Sequence, residues 1–355
     1  MQTDADTRAR ADAGRPSPPE RMSRVEWRAG VSLSGLFALR MLGLFLILPV
    51  FAVHAREHLA GGGNALLVGL AMSAYGLTQG ILQIPFGMAS DRYGRKRVIV
   101  FGLALFALGS FVAAAADSIH WVVVGRVLQG AGAISAAVVA FLADLTREEH
   151  RTKVMAMVGG SIGVVFALSL VVAPALYARI GMGGIFALTG VLAIAGILVT
   201  WKVVPAETVH VHDPNREVRA ATLGDVLADR EMLRLNFGIF VLHAMQIALF
   251  VVLPVRLIRE GGMAITDHWK IYLPVVVLSF VFMLPAIIAA ERHGRMKLVF
   301  IGSIVAMAAV QFGLWLGGSS LLGLAFCGLL DRVPLASREI RLHRSPATGL
   351  GGAGG

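Results

Sequence analysis

Two arginines interrupt apolar runs that are otherwise long enough to cross a bilayer. Arg126 lies in Gly125-Arg126-Val127-Leu128-Gln129-Gly130, well inside the fourth run, and Arg40 lies inside the first. A guanidinium at such depth is expensive to bury, so it faces a wet cavity or a partner and marks a functional position. Arginine keeps its proton. Arg126 would therefore tune a neighbour or bind an anion; the alternative is a structural hydrogen bond between helices. No Asp or Glu stands in the middle of the first six runs to neutralise either cation, which points to an anion-tolerant cavity. Gln79 and Gln83 are four residues apart, hence on one helix face, and with Gln129 would line that cavity or bond between helices. His243, inside the seventh run, has an unperturbed pKa of about 6.5 and is a candidate proton carrier, or a packing residue; Gln246 and Pro254 would shape the same wall.

No nucleophile and base pair, metal-ligand cluster or phosphate loop emerges, so neither an enzyme nor a cofactor or metal is indicated. Cys327 is the only cysteine, which excludes an intrachain disulfide and a cysteine metal site.

The elements that must position these residues are membrane helices. The chain is 56% hydrophobic and only 15% charged, an all-α membrane composition. Its net charge of +10 is spread over short loops, not gathered into a patch with aromatics, so the expected partners are membrane lipid, a small-molecule substrate and protons, with no nucleic acid. Residues 1–28 read as a disordered tail. Apolar runs then follow at about 29–53, 64–88, 98–116, 119–143, 154–178 and 181–204, a complete amino-terminal six-helix bundle over 29–204. Residues 205–233 read as a polar linker. Runs at about 235–258, 271–290 and 298–317 add three helices of a partial second bundle over 234–317. Basic residues cluster before the first run, at Arg92 to Arg97 and at Arg147 to Lys153, which places the amino terminus and the linker in the cytoplasm of a multi-pass inner-membrane protein.

The most charged of these boundaries is Gly87-Met88-Ala89-Ser90-Asp91-Arg92-Tyr93-Gly94-Arg95-Lys96-Arg97, read as an eleven-residue turn. A shift of two hundred residues lays Pro285, Glu291, Arg292, Gly294 and Arg295 onto Pro85, Asp91, Arg92, Gly94 and Arg95, so the two bundles are repeats. The repeat fails after about residue 317, and residues 318–355 read as an irregular tail from a truncated or shifted reading frame.

The pattern Gly87-x-x-x-Asp91-Arg92-x-Gly94-Arg95-Lys96 resembles the signature between the second and third helices of the major facilitator superfamily. The resemblance implies that fold, with Gly87, Asp91, Arg92, Gly94, Arg95, Lys96 and Asp144 forming a conformational switch. Arg126-x-x-Gln129-Gly130 resembles the fourth-helix signature of its proton-coupled members, which implies a proton-coupling role around Arg126. The small residues Gly159, Gly160, Gly163 and Ser169 leading to Ala173-Pro174 resemble the fifth-helix antiporter signature, with Gly130, Gly163 and Pro174 as packing positions; Ser169, Ala173 and Tyr177-Ala178 depart from it. The implied activity is proton-coupled efflux of small amphiphilic compounds by alternating access, weak or absent with only three helices in the second bundle. The alternatives are a non-transporting membrane fragment and a proton symporter in which Arg40 and Arg126 bind an anionic solute.

Overall fold

The computed structural model describes residues 22–207, 228–259, 261–278 and a few positions between 281 and 312. The repeat positions Pro285 to Arg295, most of the ninth run and of the linker, residues 1–21 of the amino-terminal tail and the whole of the carboxyl-terminal one lie outside the described residues. In an apolar medium each backbone N–H and C=O needs an internal partner, which a helix supplies within one segment. The long elements are accordingly helices: α1 (Arg24–Phe45), short α2 (Phe51–His58), α3 (Ala65–Tyr93), α4 (Arg95–Ala114), α5 (Ile119–Ala131), α6 (Ser135–Asp144), α7 (Glu148–Lys202) and α8 (Arg230–Arg259). Six helical stretches among the described residues are long and apolar enough to cross a membrane, and α7 holds two crossings, since Gly181 breaks it with φ 65°. Hydroxyls inside the helices are bound at home: Thr78, Ser110, Ser169 and Thr200 each donate to the carbonyl four residues back.

Several boundaries differ from the sequence reading: α8 starts at Arg230, inside the stretch read as linker, the run read as 119–143 is broken between α5 and α6, and three more differences bear on the ends of the bundle. The first helix begins inside the stretch read as tail, because Ser23 and Glu26 form a capping box, Glu26 N–H donating to Ser23 Oγ at 3.1 Å and Ser23 N–H to Glu26 Oε2 at 2.7 Å. It also stops early. The run read as 29–53 is α1, a turn, and α2. The third difference is at residues 87–97: α3 continues through Tyr93 and α4 starts at Arg95, leaving Gly94 alone between them at φ 96°. The expected eleven-residue turn is one glycine in a conformation that side-chain-bearing residues rarely adopt. Asp91, Arg92 and Arg97 stay exposed at the helix ends while Arg95 and Lys96 find partners within the protein, so none of them needs a loop.

A seam of glycines brings α4 and α5 into backbone contact. A Cβ on Gly109 would stand 2.5 Å from Gly125 O and from Gln129 N, and one on Gly125 would stand 2.7 Å from Gly109 O. Seven residues along each antiparallel helix, Gly132 meets the Gly102 carbonyl in the same way. Gly130 sets the next contact, its open side lying against the carbonyl of Tyr75 on α3.

The buried core divides by depth. Toward the end of the bundle marked by Gly94, called the basic end below, Leu33, Phe37, Ile99, Val138, Phe141 and Val154 pack together from α1, α4, α6 and α7. Toward the opposite, distal end, Leu46 to Ala55, Ile119, Phe166 and Ile185 pack with Phe250, Leu253 and Leu257 of α8 and with Tyr272. Thus α8 joins the first six crossings in the distal core, while Phe237 and Phe240 near its start are exposed.

Candidate functional site

Arg40 and Arg126 are the two largest fully buried side chains, 1% and 2% exposed. They are not loose in a cavity; each is held by dipolar oxygens. Arg40 Nη1 donates to Ser135 Oγ on α6 at 2.8 Å and Nη2 to Gln79 Oε1 on α3 at 3.2 Å, while Gln79 Nε2 also donates to Ser135 Oγ at 3.3 Å. Arg126 Nη1 donates to Gln129 Oε1 at 2.9 Å, and its Nε and Nη2 reach the carbonyls of Ala71 and Met72 at 3.3 and 3.4 Å. Gln129 Nε2 then donates to Ser110 Oγ across the glycine seam, and Thr189 on α7 donates to the same hydroxyl. Without the seam, Ser110 and Gln129 would be out of reach.

Tyr75 joins the two networks. The Arg126 guanidinium lies 4.9 Å from the centre of its ring and the Arg40 guanidinium 5.4 Å, with Phe106 6.0 Å from Arg40. A ring face carries negative charge density and attracts a cation, so one tyrosine lets two guanidiniums sit near each other without an acid between them. Neither Tyr75, Ser110, Ser135 nor Thr189 was singled out from the sequence. Their types are ordinary in membrane helices, and only the packing of α3, α4, α6 and α7, which carry them, around the two arginines makes them partners.

At the basic end, Arg95 is the hub. It pairs with Asp91 one turn earlier, its Nε meets Asp144 Oδ2 at 3.0 Å at the end of α6, and its Nη1 donates to Ser90 Oγ at 2.6 Å. Three successive cations at a helix amino terminus oppose the helix dipole, and nearby acids offset this. Glu207, just past α7, supplies one: its Oε1 accepts from Lys96 N–H at 2.5 Å, and its carboxylate fills the side of Gly94 where a Cβ would lie 2.9 Å from Oε2. Lys96 Nζ donates to Val204 O at 2.7 Å. Arg92 lies 5.5 Å from the ring centre of Tyr93. Gly87 is in ordinary contact with Ala136, a Cβ there meeting its methyl at 3.6 Å.

A second clamp at this end involves Glu26, only 4% exposed, whose carboxylate accepts from Arg147 N at 3.1 Å, Nε at 3.0 Å and Nη2 at 3.1 Å. The spacing Ser23-x-x-Glu26 was there to be read as a cap. Arg28 Nε closes the end of α7 by donating to Val203 O at 2.7 Å. At the distal end His54 on α2 stacks on His58 and bonds the Tyr177 hydroxyl at 3.0 Å; burial, with His58 beside it, lowers its pKa to about 4. Burial likewise lowers His268 to about 4.

The remaining sequence-derived positions stand apart. Gln83 and Gln246 are half-buried and join neither arginine network. His243 is exposed on α8 and bonds through Nδ1 to Ile239 O of its own helix at 2.9 Å, away from both arginines. Gly163 is half-buried and Pro174 buried within α7.

A sequence profile of the Major Facilitator Superfamily matches residues 33–331. The chain belongs to the major facilitator superfamily. Among relatives, it is 43% identical over 295 residues to the inner membrane transport protein YajR of Escherichia coli, an alignment covering 83% of this chain and 64% of that protein. It thus spans somewhat under two thirds of that relative's length. It is 32% identical over 142 residues to multidrug resistance protein 2 of Bacillus subtilis, covering 39% of this chain and 34% of that one. Its fold matches the crystal structure of a bacterial homologue of the human lysosomal transporter Spinster in an inward-facing, unoccupied conformation, with a TM-score of 0.72 at 14% identity, covering 90% of this chain and 74% of that one. The fold is therefore the all-α membrane fold of the superfamily, with the amino-terminal bundle followed by helices of the second.

Proposed function

We propose that this chain is a proton-coupled secondary transporter of the inner membrane that exports small amphiphilic compounds by alternating access, its amino terminus and basic end facing the cytoplasm. The observation that carries this reading is the division of the core: α8 packs on the first six crossings in the distal core and leaves its start near the basic end exposed. A helix of the second bundle that packs on the first at one end and leaves it at the other supports alternating access, and with the basic clusters inside it supports an opening toward the cytoplasm. In this reading the Asp91–Arg95–Asp144 and Lys96–Glu207 ties hold the first bundle as one body while the second rocks against it, and the Arg126 network tunes coupling. The names of YajR and of multidrug resistance protein 2 support transport and efflux respectively.

A second reading, symport of an anionic solute, is favoured by one observation: two buried guanidiniums whose described contacts include no carboxylate. Both readings are tested in energised everted vesicles containing the chain. Efflux predicts that adding an amphiphilic dye releases protons from the lumen, above vesicles lacking the chain, and that Arg126→Gln removes the response. A response equal to that of the control vesicles refutes transport by this chain. A proton flux in the same direction as that of an added carboxylate replaces exchange with symport.

A further inference from the structure

The Arg40 and Arg126 networks leave a specific set of groups unused. Arg40 Nε is buried without a hydrogen-bond partner, and so is the Tyr75 hydroxyl. Ser135 Oγ already accepts from Arg40 and Gln79, so its own proton remains to be donated. Each of these groups is a donor or can act as one. The oxygens that contact the guanidiniums are neutral, so the two permanent positive charges stay uncompensated. Among the described residues every Asp and Glu stands at or just beyond a helix end, Glu26, Asp91, Asp144 and Glu207 at the basic end and Glu57 and Asp117 at the distal end among them. The cations occupy the electron-rich face of the Tyr75 ring, whereas its O–H projects from the electron-poor edge, where an anion is favoured. A bound water would use the spare donors and leave the charge.

We propose that the junction of Arg40, Tyr75 and Ser135 is a binding site for a monovalent anion, either a halide or the carboxylate of an organic solute. Arg40 Nε, the Tyr75 hydroxyl and the Ser135 hydroxyl donate to the anion, and Arg126 on the other network adds its charge without direct contact. Only the biological source of the anion rests on the transport reading; binding itself does not.

The test is equilibrium binding of radiolabelled chloride and of radiolabelled benzoate to the purified full chain in lipid nanodiscs, with no gradient applied. Saturable binding of at least one probe is expected. Tyr75→Phe keeps the ring that holds both arginines and removes one donor, so it should weaken binding about fivefold. Arg40→Gln should weaken it more than about tenfold, whereas Arg179→Gln, an exposed arginine on α7, should leave it unchanged. Chloride saturation assigns a halide site, benzoate saturation alone assigns an organic carboxylate, and benzoate displaced by chloride shows that both use one site. No saturable binding of either probe overturns the proposal, as does binding that Tyr75→Phe leaves intact, even where Arg40→Gln cannot be purified. Failure here leaves the vesicle assay standing, and failure of transport there leaves this site standing.

Discussion

Replacing Gly109 with alanine adds one methyl group to the seam between α4 and α5, and the structure indicates what it meets. The new Cβ would lie 2.5 Å from Gly125 O and Gln129 N, both backbone atoms that cannot swing aside, where an ordinary contact begins at 3.4 Å. The helices must part by nearly an ångström, and overpacking of this kind costs about 1–3 kcal/mol. Alanine regains up to about 1 kcal/mol of helix propensity, so the net loss should be roughly 1–2 kcal/mol. Gly160 on α7 provides the internal control. It is exposed, with nothing within 4 Å of its added Cβ, so Gly160→Ala should gain about 0.4–1 kcal/mol. The two variants, identical in chemistry, should differ by about 2 kcal/mol in opposite directions. Reversible unfolding of the purified chain in mixed micelles, followed by circular dichroism, reads the difference. Equal stabilities for the two variants would show that α4 and α5 do not touch through their backbones, and the placement of Ser110 beside Gln129 would fall with that contact.

Two further outcomes follow from the helix ends. Glu26→Ala removes the carboxylate that closes the capping box on Ser23 N–H and the partner of Arg147, whose side chain stays partly in water, and should cost about 1–2 kcal/mol in the same unfolding assay; Glu26→Gln, which keeps an acceptor for Ser23 N–H, should cost less, and a neutral effect of the alanine variant would mean the clamp does not form. His54 and His268 are both held neutral by burial, with pKa values of about 4 against an ordinary 6.5. Unfolding lets them take up protons, so their contribution is fully present above pH 6.5 and declines as pH falls toward 4. Stability measured across that window should fall less in a His54→Phe, His268→Phe variant than in the parent chain, and an identical decline would place these rings in water.

The existence and order of the helices were legible because an apolar run of bilayer length has few alternatives in structure. Their ends were less so. Composition assigned Glu26 to a polar tail, yet its charge is what starts α1, because a carboxylate three residues after a serine satisfies an open backbone N–H. The charged residues from Asp91 to Arg97 read as loop for the same reason, although an i,i+4 pair between Asp91 and Arg95 spans a break only one glycine wide. Arg40, Arg126, Gln79 and Gln129 could be picked out as polar residues in apolar runs, but which pairs with which is a property of helix packing. Tyr75 was given no role, since an aromatic ring in a membrane helix needs no special explanation. Its role exists only once α3 lies against α5 and Arg40 reaches across from α1.

That packing also gives the arginine pair a structural relation to the break in the fourth crossing. The helix is interrupted between Ala131 and Ser135, and the partners of the two guanidiniums lie on opposite sides of the interruption: Gln129 on α5 binds Arg126, Ser135 on α6 binds Arg40. The α5 side is fixed to α4 by backbone contact at Gly125 and Gly109. The α6 side is tied through Asp144 to Arg95 at the basic end. A change in the angle between α5 and α6 therefore moves Ser135 and Arg40 relative to Arg126, with the Tyr75 ring as the fixed surface against which both cations rest. Two like charges in a medium of low dielectric repel more strongly the closer they come. An anion at the junction would relieve that repulsion, and its departure would restore it. Were the proposed anion bound, the break in the fourth crossing would let Ser135 settle against Arg40 while the Asp144–Arg95 pair keeps the far end of α6 in place at the basic end.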